Sequence, residues 1–345
     1  MYVNIDKLRS NLLRIKRSVG VKTFFMVKAD AYGHGLCEVA QAVEDIVDGY
    51  GVAVLEEGLS LRACGIKKPV LLLICPPDEL IEAINHGISV CIGDETQLAA
   101  LENAVSDGII SADQAKIHIA VDTGMHRLGF EVGAVDATLK RLCKIGISAE
   151  GVYSHLRVRS QKQIKAFDRA CNIVRAYCPN ALRHIASSHS AGCKTLRYDA
   201  VRVGLYAYEG AMRIESKVIA ARRVAAGEFV SYGSFKLSCD TNTAVVFGGY
   251  ADGVQRENPS AVYIRGRECR VLGKVCMDMC VVDCGDFLPD IGEKVVLSDA
   301  EKIKRVSKMR RSVEYTAMTC WRGRIERIYE YDKGRSEDSL KKGDC

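Results

Sequence analysis

The sequence has no long apolar run. The longest, Val70 to Cys75, falls far short of the roughly 20 residues needed to span a bilayer. It also has no dense block of lysine and arginine. Its 49 basic and 43 acidic residues leave +6 spread over 345 positions. Such a chain can attract anionic ligands but lacks the basic stripe of a nucleic-acid binder. The first twenty residues lack the apolar block of a secretion signal and carry Asp6, Lys7 and Arg9 instead. A cytoplasmic protein without a membrane anchor is expected. No Cys-x-x-Cys pair occurs among the 15 cysteines, which are scattered from Cys37 to Cys345. The densest cluster, Cys276, Cys280 and Cys284, alternates with Val275, Met277, Met279 and Val281 like a strand, and no histidine lies nearby. Reduced, mostly buried thiols are expected rather than a metal site. Internal repeats and low-complexity segments are absent as well.

What is present reads as globular. The chain is 48% hydrophobic and 27% charged, which excludes disorder, collagen and a heptad fibre. Its length fits about two domains, or a barrel with an appendage.

The first 210 residues alternate short apolar strands with helices. Leu8, Leu12, Ile15 and Val19 recur at helical spacing, with Asp6 as N-cap and Gly20 as stop. Strands are expected at Thr23 to Val27, Gly51 to Leu55, Val70 to Ile74, Val90 to Ile92, Ile117 to Val121, Gly151 to Ser154, Arg183 to Ala186 and Arg202 to Leu205. Helices are expected between them, for example Glu57 to Cys64, Pro77 to His86 and Glu95 to Ala104. About eight such units point to an α/β fold, a closed (β/α)8 TIM-like barrel over residues 1–210. From 211 to 331 the helical period largely disappears. Ile214 to Val224, Ala244 to Gly248, Ala261 to Ile264, Val271 to Asp283 and Lys294 to Leu297 look like strands, with one helix near Lys302 to Arg311. This is a mainly β C-terminal domain, followed by a polar tail over 332–345.

Several residues could carry chemistry. Lys28 ends a strand where barrels build their sites. Desolvation there lowers an amine's pKa and makes it a nucleophile for carbonyls, although barrels carry many ordinary strand-end lysines. Tyr32-Gly33-His34-Gly35 follows, with glycines that permit close ligand approach but without the spacing of a P-loop or dinucleotide fingerprint. Arg127 follows another strand and can fork onto a carboxylate or phenolate, or simply be a solvated loop residue. His155, Ser187, Ser188 and Arg202-Val203-Gly204-Leu205 stand at further strand ends. Tyr232 suits an acid/base role only if cations lower its pKa; a strand tyrosine packed in a core is the ordinary alternative.

Together these fragments resemble one family. Val27-Lys28-Ala29-Asp30-Ala31-Tyr32-Gly33-His34-Gly35, Asp122-Thr123-Gly124-Met125, Arg127-Leu128-Gly129, Arg202-Val203-Gly204, Val230-Ser231-Tyr232-Gly233, Gly249-Tyr250-Ala251-Asp252-Gly253 and Met277-Asp278 are similar, in order, to the motifs of alanine racemase. Tyr315, Arg324, Arg327 and Tyr329 keep the family's closing spacing. The resemblance implies a fold-type-III pyridoxal 5'-phosphate (PLP) enzyme. It would interconvert L- and D-alanine for peptidoglycan and work as a head-to-tail homodimer with shared active sites.

By that resemblance, Lys28 would hold PLP as a Schiff base and serve as one base. Tyr232 from the partner would be the other. Tyr32, Ser187, Ser188, Gly204, Leu205 and Tyr315 would surround the phosphate, and Arg202 would face the pyridine nitrogen. Arg127 would bind the phenolic oxygen and the substrate carboxylate, and His155 would lie under the ring. The backbone of Met277 would hold the carboxylate, and Tyr250 and Arg256 would line the entrance.

Some positions depart from the family. Ala120 stands where many members carry a carbamylated lysine, so Arg127 needs another orienting group, such as a bound anion. His126 replaces a usual glycine and Ser187 a usual asparagine. The segment Leu156 to Gln163 is shortened, and Lys274 replaces an entrance arginine. A related serine or broad-range racemase is the alternative, and after it a non-catalytic PLP-binding protein. The β domain and its Tyr232 speak against the last.

Overall fold

The computed structural model describes residues 1–309, 314–321 and 323–331. The expected polar tail, 332–345, and the end of the helix expected to reach Arg311 lie outside the described residues. The chain forms two compact units. One comprises residues 9–31 and 35–207; the other comprises 1–8, 32–34 and the chain from Tyr208 onward.

Eight parallel strands form the centre of the first unit. Their order is Ala200–Val203, Lys22–Met26, Gly49–Val52, Val70–Leu72, Ser89–Ile92, Ile117–Asp122, Gly151–Tyr153 and Leu182–His184. The two ends of this row meet. The Asp199 amide donates to the Arg183 carbonyl at 3.1 Å and the Arg202 amide to the Ala186 carbonyl at 2.9 Å. Ser187 and Arg202 form a parallel bridge at the same seam. The sheet is therefore a closed barrel, as the alternation of strands and helices implied.

The strands are short apolar runs because both faces are covered. Every residue of Gly49–Val52, Ser89–Ile92 and Ala200–Val203 is buried. Boundaries differ from expectation by a few residues where hydrophobicity alone decides nothing. The strand expected from Gly51 starts at Gly49, where a Cβ would meet the Phe24 ring at 2.7 Å and the Pro69 carbonyl at 2.9 Å. Only glycine fits that approach, so a residue that reads as a turn opens a strand. Leu55, read as strand, begins the helix Leu55–Ala63. The first helix, Ile5–Val19, is capped by Asn4 rather than Asp6, because Asn4 Oδ1 accepts the Lys7 amide at 2.7 Å.

The second unit is an antiparallel sheet ordered Arg267–Cys269, Val262–Ile264, Lys294–Ser298, Met212–Val224, Thr241–Phe247, Met279–Asp283 and Val271–Leu272. The N-terminal strand Tyr2–Asn4 joins it, antiparallel to Met212–Val224 and parallel to Ile328–Glu330. Residues 1–8 thus belong with the β-rich unit, whereas a span of 1–210 was expected for the barrel. A three-residue strand is too short to show in the periodicity.

The single strand expected over Val271 to Asp283 is broken. Gly273 has φ +64°, and a Cβ there would lie 2.8 Å from the Val230 carbonyl. The chain loops out through Met277 before Met279–Asp283 begins. A short helix, Glu314–Thr319, carries Tyr315. Among the described residues no helix is long and apolar enough to cross a membrane, and no cluster of His, Cys, Asp and Glu is arranged to hold a metal.

Candidate active site

Lys28 lies just beyond the C-terminal end of Lys22–Met26, after the fully buried Val27. The four residues that follow, Ala29 to Tyr32, all have φ between 51° and 56°. This is one turn of left-handed backbone without a glycine. Each such residue costs roughly 1–2 kcal/mol, so tertiary contacts must impose the turn. Within it the Ala31 amide donates to the Val27 carbonyl at 2.7 Å. The Leu36 amide donates to Asp30 Oδ1 at 2.8 Å and the Gly35 amide to the Asp30 carbonyl at 3.0 Å. Burial lowers the Lys28 pKa below the usual lysine range. The positive charges of Arg127 and Arg202 lower it further, against a raising influence from Glu57.

Arg202 is a buried cation in the barrel core, 5% exposed. Its Nη1 donates to His184 Nδ1 at 2.7 Å and to the His184 carbonyl at 2.9 Å. Its Nη2 donates to the Ser154 carbonyl at 2.7 Å and more distantly to that of Ile185 at 3.5 Å. Guanidinium has five N–H donors. Four are engaged, leaving Nε–H without a protein partner among the described residues. The guanidinium also lies 5.2 Å from the centre of the Tyr153 ring. Burial brings its pKa down to about 10, so it remains a cation at neutral pH.

His155 follows the strand Gly151–Tyr153 and feels the same charges. Burial, then Arg202, Arg127 and Lys28, push its pKa down to about 4, so the ring is neutral at physiological pH. Arg127 is exposed and makes no hydrogen bond or ion pair among the described residues. Its loop is held by Asp122, whose Oδ1 accepts the amides of Gly124, Met125 and His126 at 2.8, 3.0 and 3.1 Å. His126 has φ +56°, a left-handed conformation that favours glycine, and its ring lies 3.1 Å from the Asp122 carboxylate. Ser188 is buried, and its Oγ accepts the Gly204 amide at 2.8 Å. Ser187 bridges to Arg202 beside it, and Leu205 is buried.

The β-rich unit holds the remaining candidates. Tyr32 and Tyr315 stack obliquely, with ring centres 5.2 Å apart. Arg327 Nε donates to the Gly33 carbonyl and Tyr329 Oη to the His34 carbonyl, both at 3.2 Å, tying the closing residues to this segment. Tyr232 is not a core tyrosine. It is 61% exposed, follows Ser231 at φ +58°, and meets Lys274 only through a backbone bridge. Met277 is 54% exposed, and its carbonyl accepts the Ala251 amide at 3.1 Å. Arg256 lies 5.3 Å from the centre of the Tyr250 ring. Arg324 pairs with both Asp252 and Asp278, at 3.1 and 2.7 Å, joining two of the motifs.

Comparison with known proteins places this arrangement. Residues 3–211 match the alanine racemase N-terminal domain and residues 211–329 the alanine racemase C-terminal domain. The chain belongs to the alanine racemase family. It is an enzyme, an amino-acid racemase of the isomerase class. It is 34% identical to the alanine racemase of Thermobifida fusca over 330 positions, covering 86% of this chain and 87% of that one. It is 30% identical to the alanine racemase of Streptococcus pyogenes serotype M28 over 361 positions, covering 95% and 97%. The structure of alanine racemase from D-cycloserine-producing Streptomyces lavendulae superimposes with a TM-score of 0.88 at 26% identity, covering 96% of each chain.

Against this family background, the buried Ala120 packs with Leu71, Cys91 and Tyr153. Among the described residues no side chain hydrogen-bonds or ion-pairs with Arg127 in place of the usual lysine. Sequence reasoning misses two contributors. His184 was read only as part of a strand, yet it receives the Arg202 donor. Glu57 was read as an ordinary helix residue, yet its Oε1 accepts the Ala29 amide at 2.5 Å and its Oε2 the Ala53 amide at 2.8 Å. An acidic residue in the first turn of a helix was the available signal, since such residues reach back to preceding amides.

Proposed function

We propose that this protein interconverts L-alanine and D-alanine with PLP, using Lys28 and Tyr232 as its two bases. In this reading the enzyme is a homodimer, and each Tyr232 serves the partner's site. The observation that carries it is the Lys28 amine, partly desolvated beside Arg127 and Arg202, in a family of alanine racemases.

The donors fit PLP. Arg202 offers a single free N–H and no acceptor, which suits an unprotonated pyridine nitrogen. The buried Ser188 hydroxyl is suited to the phosphate. Arg127, unpartnered among the described residues, can take the phenolic oxygen and the substrate carboxylate. Bound there, PLP would draw electrons from the substrate's α-carbon into its ring and make the α-proton acidic.

The chain's own residues then divide the work. Lys28 Nζ exchanges the α-proton on one face, and burial, which lowers its pKa, favours the unprotonated amine a base requires. Tyr232 Oη exchanges it on the other face, and two different groups on opposite faces invert the centre. Arg202, a cation that remains protonated, keeps the ring nitrogen from gaining a proton. This restrains the electron sink and disfavours transamination. His155, neutral at physiological pH, would add no charge to the cofactor's surroundings. The exposure of Tyr232 and Met277 supports their delivery to a second subunit. The D-alanine would supply peptidoglycan, and fifteen thiols suit the reducing cytoplasm.

The test is to incubate the purified protein and PLP separately with L-alanine, L-serine and L-lysine and to follow the D-enantiomers by chiral chromatography. D-Alanine should dominate and vanish in Lys28→Ala. Dominant D-serine or D-lysine would overturn the alanine assignment and point to the segment Leu156 to Gln163. No D-product from any substrate would leave only PLP binding.

A further inference from the structure

Lys28 stands just past the strand Lys22–Met26, after the buried Val27. It is followed by a backbone turn that L-residues avoid, and something outside the turn must hold it. The two oxygens of Glu57 reach two amides. Oε1 accepts from Ala29, the residue after Lys28, at 2.5 Å. Oε2 accepts from Ala53 at 2.8 Å, just past the neighbouring strand Gly49–Val52. Those strands are already in register, with Met26 opposite Gly51 and the Val27 amide donating to the Gly51 carbonyl at 2.9 Å. The carboxylate therefore staples two adjacent strand ends at the point where the first turns left-handed.

We propose that Glu57 is the positioning residue of Lys28, its bidentate carboxylate holding the Ala29 turn so that the amine projects from a fixed backbone. The inference rests on the reading of Lys28 as the reactive amine. Three observations support it. Among the described residues the Ala29 and Ala53 amides have no other acceptor. The left-handed run begins at the residue Glu57 binds. Glu57 is also the negative charge that opposes Arg127 and Arg202 at Lys28. One side chain thus sets the place of the amine and moderates its acidity. Glutamine cannot replace it, since its amide end offers one oxygen and turns N–H donors toward the second backbone donor. Aspartate keeps the charge but falls one methylene short of spanning both amides.

The experiment uses Glu57→Gln and Glu57→Asp in the full chain, with circular dichroism confirming that both fold. The Lys28 pKa is read in the PLP-free protein by competitive labelling with acetic anhydride and mass spectrometry across pH. Racemisation is read separately in the PLP-loaded protein. Glu57→Gln should lower the Lys28 pKa by about half a unit to one unit, as expected when a nearby opposite charge is lost. It should lower kcat about tenfold to a hundredfold with KM within about twofold, as expected for a misplaced reacting group. Glu57→Asp should leave the Lys28 pKa near the parent value while kcat still falls. The proposal is overturned if Glu57→Gln leaves both the labelling curve and kcat unchanged, or if Glu57→Asp retains full kcat. If the parent makes no D-enantiomer, the racemase reading fails, while the labelling curves still decide whether Glu57 governs Lys28.

Discussion

Arg202 Nη1 lies 2.7 Å from His184 Nδ1, and this contact sets the protonation of the barrel core. An arginine can only donate, so His184 Nδ1 must carry a lone pair. Its Nε2 then holds the hydrogen and donates to His118 Nδ1 at 2.8 Å. His184 is stacked between Tyr153 and Phe24, at 5.4 and 5.8 Å. Gly151 is needed beside this chain, because a Cβ there would run into the His118 ring. Both histidines are therefore neutral as a consequence of holding Arg202.

Acid should destabilise the protein through these rings. Burial, then Arg202, pushes His118 down to about 3; burial, then Arg202 and His118, holds His184 well below its usual value; His155 falls to about 4. The unfolded chain binds these protons near pH 6.5 and the folded one only below about 4. Stability is thus fully present above about pH 6.5 and lost as pH falls toward 4. Melting temperature measured from pH 8 to 4 should drop through that window, and His155→Asn should flatten the drop. A flat profile would contradict neutral buried rings.

Arg202→Lys should be costly. A lysine cannot serve His184 Nδ1 and three backbone carbonyls in one plane, so buried acceptors lose their donors at about 1–3 kcal/mol each. Chemical denaturation should show that loss, and PLP should dissociate more readily on dialysis. A variant as stable as the parent would mean that the network contributes nothing.

The proposed sharing of the site between two subunits is tested by mixing variants. Lys28→Ala and Tyr232→Phe chains, each inactive, should regain some D-alanine formation after subunit exchange, because hybrid dimers hold one intact site. Proven exchange with no recovery would place Tyr232 outside the partner's chemistry.

Gly129 closes the Arg127 loop with φ +117°, and a Cβ there would meet the Asp122 amide nitrogen at 2.6 Å. Gly129→Ala must shift the loop. The expected result is a several-fold rise in KM for alanine with a smaller change in kcat, since substrate binding is disturbed more than the bases. Steady-state kinetics with unchanged KM would detach Arg127 from the carboxylate.

The sequence by itself determined the architecture. Short apolar strands alternating with helices can bury both faces only as a parallel sheet under helices, and eight such units close into a barrel. A change to alternating strands after Tyr208 marked the β-rich unit. Spaced motifs singled out Lys28, Arg127, Arg202 and Tyr232 as candidates, and their proposed roles came from the family resemblance.

Only tertiary structure decided what neighbours impose at long separation. Four residues from Ala29 to Tyr32 take a conformation their identities disfavour, held in part by Glu57, 28 positions away from Ala29. Val271 to Asp283 reads as one strand but breaks at Gly273, where the Val230 carbonyl comes too close for a side chain. His184 looks like any strand histidine until Arg202 fixes its tautomer. In each case the deciding group is near in space and remote in sequence, so local periodicity carries no trace of it.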